Sequence, residues 1–315
     1  MALPLEPPLP PQLARPSPDL PDGDGWWYEP KWDGFRAIAF VDGGLTALQS
    51  RNGRPLERYF PELSFPDGRY VVDGEIVIPN ADGGQEFGAL QQRIHPAASR
   101  IERLSREMPA VFVAFDLLAR GDEVLMDRPH AERRALLEAL CGDGMRLTPG
   151  TADRAEAAGW LAGTGEGVVA KRADAPYRPG ERTGMVKVKR VRTFDCVVVG
   201  WRPGKAGEDT VGSLILGMYD GGSLRVVGHA AGFRAAQKRE LRELVRPYET
   251  GERGSGDPSR WSADRELEWV GLRPELVVEV RADQVSDGRI RHGAKLVRTR
   301  DDRDPSTCTV DQLTA

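Results

Sequence analysis

Apolar residues along this chain fall in short blocks punctuated by glycine, aspartate and proline, and the texture of those blocks changes near residue 190. Phe35 to Phe40 and Tyr70 to Ile78 are rich in β-branched and aromatic residues bounded by Gly, Asp and Pro, and read as strands. Val111 to Leu118 is apolar enough for a buried strand, and Gly167 to Lys171 makes a shorter one. Arg128 to Leu140 has the apolar spacing and Ala/Leu/Glu content of a helix, which Cys141-Gly142 would end. The mixture predicts antiparallel sheets with flanking helices, an α+β layout rather than a regular βαβ series.

Beyond Arg192 the blocks become short strands between glycine-rich turns: Phe194 to Trp201, Ser213 to Tyr219, Ser223 to His229 and Leu276 to Arg281. One helical stretch, about Ala235 to Val245, interrupts them. Short strands with a single helix predict a small barrel of the OB type. The expected division is a Pro-rich lead-in at 1–24, an α+β domain at 25–190 and an all-β domain at 191–315, with the boundary near Lys189 to Thr193. Prolines from Pro4 to Pro21 predict an extended or disordered lead-in along the surface.

Composition narrows the class. The 315 residues are 40% hydrophobic and 29% charged, as in soluble globular proteins. No apolar run approaches the roughly 18 residues that span a bilayer, and the N-terminus lacks a signal-peptide pattern, so the expected compartment is the cytoplasm. Cys141, Cys196 and Cys308 form no C-x-x-C pair, which argues against a disulfide framework or a zinc site. A net charge of −4 speaks against nucleic acid, but phosphate contacts are local. Two basic runs keep that partner open: Lys187 to Arg192, and Arg289 to Arg300.

The candidate chemistry is an ordered series of short motifs. Lys31-Trp32-Asp33-Gly34-Phe35-Arg36 fits K-x-D-G-x-R; Ser50-Arg51-Asn52-Gly53, Asp73-Gly74-Glu75, Glu166-Gly167-Val168-Val169-Ala170-Lys171 and Lys187-Val188-Lys189 follow. A nucleophilic lysine must lose a proton whose reference pKa is about 10.4, and nearby positive charge helps it do so. Lys187 and Lys189, folded beside Lys31, would supply that charge and neutralise a phosphate under attack.

From Trp26 to Pro305 this series resembles the covalent nucleotidyltransferases, and in particular the ATP-dependent DNA ligases. The resemblance implies an α+β nucleotidyltransferase (adenylation) domain followed by an all-β OB-fold domain that swings about a hinge at Lys189 to Phe194. It implies that Lys31 becomes adenylylated, that Glu29 reads adenine, and that Arg36 contacts the nucleotide sugar and later the nicked strand. Arg51 would bind ribose and phosphate, Glu75 the ribose or a metal, and Phe115 would stack on adenine. Glu166 falls on the metal-associated glutamate, and with Asp33 or Glu75 nearby it makes the sparse carboxylate set that suits magnesium and substrate phosphates. Arg182 falls on an arginine of the next interval, and Lys187 and Lys189 on the α-phosphate ligands. Arg298-Thr299-Arg300-Asp301-Asp302-Arg303 is similar to the last motif, which orients pyrophosphate. Two departures stand out: Arg303 replaces a usual lysine, and Met185 a common tryptophan.

The implied co-substrate is ATP, with Mg2+ or Mn2+. The implied partner is nicked duplex DNA, with Ku and a polymerase–primase as repair partners of a nucleoid-associated monomer. The form is similar to the bacterial C-type ligases or the ligase module of the D-type repair enzymes, which Phe87 to Arg93 also resembles. An RNA ligase or a GTP-dependent capping enzyme shares the lysine motif, and a non-catalytic DNA-end-binding module could keep the fold. The Gly/Arg/Asp-rich composition and Ser50-Arg51-Asn52-Gly53 favour a DNA ligase, and the filled catalytic positions argue against a binding module; spacing alone does not give base or sugar choice.

Overall fold

Strand residues alternate between faces, and in the central strands both faces are apolar, which places them between two layers of core. The computed structural model describes residues 3–80, 85–163, 165–190, 192–204, 207–255, 268–282, 285–286, 288–291 and 293–313. Val191, within the expected hinge, lies outside them. The chain forms two compact units, 1–190 and 191–315.

In the first unit the strands are β1 (Arg15–Pro16), β2 (Trp26–Pro30), β3 (Phe35–Asp42), β4 (Leu45–Ser50), β5 (Arg69–Val77), β6 (Val111–Arg120), β7 (Glu123–Val124), β8 (Met145–Leu147), β9 (Gly167–Arg172) and β10 (Met185–Lys189). The helices are α1 (Phe87–Arg93), α2 (Ala98–Glu107), α3 (His130–Glu138) and α4 (Arg154–Ala162). One sheet runs β4-β3-β5-β6-β7 with β8 beside β6; the other runs β1-β10-β9-β2. On β3, Ala37, Ala39 and Val41 join a core with Val72, Ile76, Phe112 and Leu117. Ile38 and Phe40 face the other way, onto Val71, Leu118 and Tyr177. Both sides of this strand are therefore dry, which explains its unbroken apolar run.

The helix expected over 128–140 is shorter, His130–Glu138. Pro129 is its N-cap, with φ −51° and ψ 144°. A residue preceding proline is pushed out of the helical region, so Arg128 cannot begin the helix. The Pro-rich stretch is extended, yet it is more than a surface lead-in. Leu3, Gln12 and Leu20 are buried, Leu5 and Leu9 pack on the Phe40 and Tyr177 cluster, and Arg15 and Pro16 pair in parallel with Val186 and Lys187.

In the second unit the strands are β11 (Arg192–Gly204), β12 (Gly207–Asp220), β13 (Ser223–Ala231), β14 (Glu249–Gly254), β15 (Trp269–Leu272), β16 (Val277–Ala282), β17 (Val285–Ser286), β18 (Arg289–Ile290) and β19 (Lys295–Thr299), with α5 at Ala235–Val245. β11 pairs with β16 through residues 192–197 and with β15 through Gly200 and Trp201. A register shift between Val198 and Gly200 bends it from one partner to the next, as bulges do when a sheet curls into a barrel. Trp201, Leu214, Leu216, Met218 and Val278 fill the interior against Leu241 and Val245 of α5. This is the OB-type barrel expected. Among the described residues no helix is long and apolar enough to cross a membrane.

Candidate active site

Residues of β2, β3, β5, β6, β9 and β10 surround a cavity of about 190 Å³ in the first unit. Lys31 follows β2, where its backbone N–H donates to Gly167 O at 2.9 Å and extends the β2–β9 ladder to the motif lysine. Its ammonium pairs with Glu166 Oε2, and Glu166 Oε1 reaches Lys189 Nζ at 3.3 Å. Gly167 makes this approach possible. Its φ is 151°, and a Cβ there would lie 2.2 Å from Val188 O. Lys187 pairs across the ladder with Val169 and Lys189 with Gly167, so the two lysines share one face while Val186 and Val188 enter the core on the other. Burial, then the charges of Lys31, Lys189 and Arg51, push Lys187 below the ordinary lysine range.

Arg36 leaves β3 toward the same cavity. Asp73 chelates it, Nε to Oδ1 at 2.7 Å and Nη2 to Oδ2 at 2.6 Å, and its guanidinium lies 4.5 Å from the centroid of the Phe115 ring. Burial opposes its charge, but Asp73 outweighs burial and raises the Arg36 pKa. Gly34, at the turn into β3, carries no Cβ because one would stand 2.2 Å from Ile76 O. Opposite Arg36 on β5 lies Glu75. Burial lifts its pKa to about 8, with Arg36 and Lys31 drawing it down and Asp73 and Glu166 adding to the rise.

Glu29 is buried beneath the cavity. Its carboxylate meets Lys171 Nζ at 2.8 Å and Arg134 Nη1 at 3.4 Å, and burial raises its pKa against the pull of both cations. Lys171 also donates to Phe115 O at 2.8 Å and sits 4.9 Å from that ring's centroid.

Of the site residues expected from sequence, Glu29, Lys31, Arg36, Arg51, Glu75, Phe115, Arg182 and Lys187 all line this cavity. Glu166 and Lys189 join it through the Lys31 contact. Asp33 is not among the lining residues; its backbone N–H donates to Gln85 Oε1. Among the described residues no group of three or more His, Cys, Asp and Glu could hold a metal ion; of the carboxylates expected to hold one, Glu75 lines the cavity and Glu166 pairs with Lys31. Arg298, Arg300 and Arg303 lie in the second unit. Arg298 pairs with Glu279 at 2.7 Å, Arg300 with Asp195 at 3.0 Å and Asp302 at 2.8 Å, and Arg303 with Asp195 at 3.3 Å. Lys171 and Asp73 were visible inside the quoted motifs but carried no expected role. Their period-two spacing from Val169 and Glu75 was the available signal.

Comparison with known proteins agrees with this geometry. The family model of the ATP dependent DNA ligase domain matches residues 11–189, and that of the ATP dependent DNA ligase C terminal region matches 207–303. DNA ligase C1 of Mycolicibacterium smegmatis is 47% identical, covering 99% of this chain and 96% of the relative. DNA ligase C of Mycobacterium tuberculosis is 44% identical with the same coverage. The multifunctional non-homologous end joining DNA repair protein LigD of M. tuberculosis is 33% identical over 85% of this chain and 35% of the relative. The solved ligase domain of M. tuberculosis LigD is 30% identical with a TM-score of 0.53, covering 96% of this chain and 98% of that one. With the motif lysine in a cavity and both halves of the chain matched, the protein belongs to the ATP-dependent DNA ligases.

Proposed function

We propose that this chain seals 5′-phosphate/3′-hydroxyl nicks in duplex DNA through an AMP carried covalently on Lys31. The observation that carries the reading is the convergence of Lys31, Glu166, Lys187 and Lys189 on one ladder at the cavity. Lys31 Nζ, once deprotonated, attacks the α-phosphorus of ATP; an N–P bond forms, the P–O bond to pyrophosphate breaks, and pyrophosphate leaves. Lys187 and Lys189 neutralise the charge that gathers on the α-phosphate oxygens. AMP then passes to the 5′-phosphate at the nick, freeing Lys31. The 3′-hydroxyl attacks that activated phosphate, a phosphodiester forms, and AMP leaves.

Base choice follows from the cavity floor. Glu29 offers an acceptor beside the Lys171 donor, which complements the amino group and neighbouring ring nitrogen of adenine. Guanine presents a carbonyl and an N–H instead, the reverse order. Glu75 and Glu166 would hold a divalent cation, which supplies charge stabilisation at the phosphates when bound. Kinship with the end-joining relative supports a role in repair, where Ku and a polymerase–primase are the partners to test.

The test is incubation with α-labelled ATP and magnesium, comparing the parent with Lys31→Ala on a denaturing gel. Label retained by the parent and lost in the variant supports the intermediate. No label on the parent, after bound AMP has been stripped with pyrophosphate, defeats the reading. Nicked all-DNA and all-RNA duplexes then identify the acceptor.

A further inference from the structure

One wall of the cavity comes from a stretch to which the motifs assign no role. Pro11, Leu13 and Ala14 line it near Arg36 and Arg182. This stretch is fastened along its length. Leu9 N–H donates to Gln49 Oε1 at 2.8 Å and Leu9 O accepts from Gln49 Nε2 at 2.7 Å. Gly180 N–H donates to Pro11 O at 3.2 Å, Leu13 N–H to Glu181 O at 2.8 Å and Ser17 N–H to Lys187 O at 2.9 Å. These ties reach the loop that carries Arg182 and the strand that carries Lys187.

Gln12 is the knot. Its side-chain amide donates to Thr183 O at 2.6 Å and its backbone N–H to Tyr177 Oη at 2.9 Å. Its carbonyl accepts from Arg36 Nη2 at 3.2 Å. Tyr177 Oη–H donates in turn to Asp73 Oδ2 at 2.6 Å, the carboxylate that chelates Arg36. Gln12, Tyr177, Asp73 and Arg36 thus close a ring of hydrogen bonds, with Gln12, Tyr177 and Asp73 buried. A satisfied ring in a low-dielectric site allows its members few other arrangements. It turns Arg36 onto Phe115 and into the cavity.

We propose that residues 9–17 form a strap that completes the nucleotide pocket, with Gln12 and Tyr177 as positioning residues that set Arg36 for the sugar and phosphates of a nucleoside triphosphate. The proposal rests on the cavity being the ATP site. Neither residue performs chemistry. Each fixes the orientation of a side chain that binds, so its loss weakens nucleotide binding without slowing the attack by Lys31 once the site is filled.

The experiment is single-turnover formation of lysine–AMP in the full chain as a function of ATP concentration. Tyr177→Phe keeps the aromatic side chain and removes the hydroxyl through which Gln12 and Asp73 are joined. It is expected to raise half-saturating ATP roughly five- to tenfold while the saturating rate stays within about twofold, the signature of lost binding rather than lost chemistry. Gln12→Ala, which releases the Thr183 tie, is expected to shift half-saturation in the same direction by a smaller factor. Hydrogen exchange supplies a second readout: α,β-methylene-ATP is expected to slow exchange at the Gln12, Leu13 and Ser17 amides of the parent about threefold or more. Unchanged half-saturation in both variants, including the case where only the melting temperature falls, would overturn the proposal, as would exchange at the strap indifferent to nucleotide. A parent that forms no lysine–AMP overturns the ATP site and the strap together; a parent that forms it normally beside indifferent variants overturns the strap alone.

Discussion

His130 opens α3 with its ring buried, and neither ring nitrogen has a hydrogen-bond partner. Burial penalises the imidazolium, Lys171, Arg133 and Arg134 add repulsion, and Asp116 offsets part of it, so the ring's pKa falls to about 3. In the unfolded chain the value returns to about 6.5. Between these two values the unfolded chain binds more protons than the folded one. Stability is therefore full above about pH 6.5 and drains as the pH falls toward the folded value. Linkage puts the loss between pH 7 and 5 at about 2 kcal/mol for this residue. Glu29, raised by burial, has the opposite sign, since its folded carboxyl takes up a proton earlier than the unfolded chain does.

Comparing the parent with His130→Leu removes the histidine's titration and keeps the Glu29 carboxyl, whose Oε1 lies 3.9 Å from His130 Nε2. Leucine leaves no polar atom unpaired, so the variant is expected to match or exceed the parent at neutral pH and to lack its acid sensitivity. Urea unfolding at pH 7 and 5, read by hydrogen exchange of the β5 and β6 amides, reports the first unit alone. At roughly 2 kcal/mol per molar urea, the parent's midpoint should fall about 1 M further than the variant's. Equal falls in both proteins would refute a neutral, buried His130.

Three further outcomes are expected. Gly167→Ala places a Cβ 2.2 Å from Val188 O, and lysine–AMP formation, followed by label, should fall at least about tenfold as Glu166 leaves Lys31. Asp73→Ala leaves the half-buried Arg36 guanidinium without its carboxylate, and calorimetry of the full chain should show the first unit destabilised by about 1–3 kcal/mol; an unchanged transition would show that Arg36 finds another partner. Arg300→Ala should slow self-adenylylation by roughly tenfold or more while sealing of a pre-adenylylated nick changes little, as expected of a group that acts on pyrophosphate; equal losses in both assays would place it elsewhere in the cycle.

Much of the site was legible because its residues sit on or beside strands, several of which their apolar runs announce. Lys31, Glu75, Phe115, Glu166 and Lys187 each lie on or beside a strand, and period-two alternation aims them at one cavity. What the sequence hid is non-local. The ring that joins Gln12 to Tyr177 spans 165 positions, and a proline-rich stretch gives no sign of the strand it will pair with. β10 escaped notice because its alternation of lysine and valine looks like a charged surface until β9 is laid against it. Asp33 shows the converse. Its place inside the motif suggested a ligand, yet it does not join the residues around the cavity. Pro129 shortened α3 by a purely local rule that was readable in advance.

The pairing of β9 with β10 has an evolutionary consequence. Along β10 the residues read Met185, Val186, Lys187, Val188, Lys189, with lysines toward Lys31 and valines toward the core. Losing or gaining one codon inside this strand would exchange the two sets, turning valines toward the phosphates and lysines into hydrocarbon. A point change here removes one contact; a frame-preserving indel of a single residue inverts the whole face. The lineage can therefore drift in which residues surround Lys31, but not in how many lie between the strands' fixed ends, and length variation should collect in the loops outside this ladder.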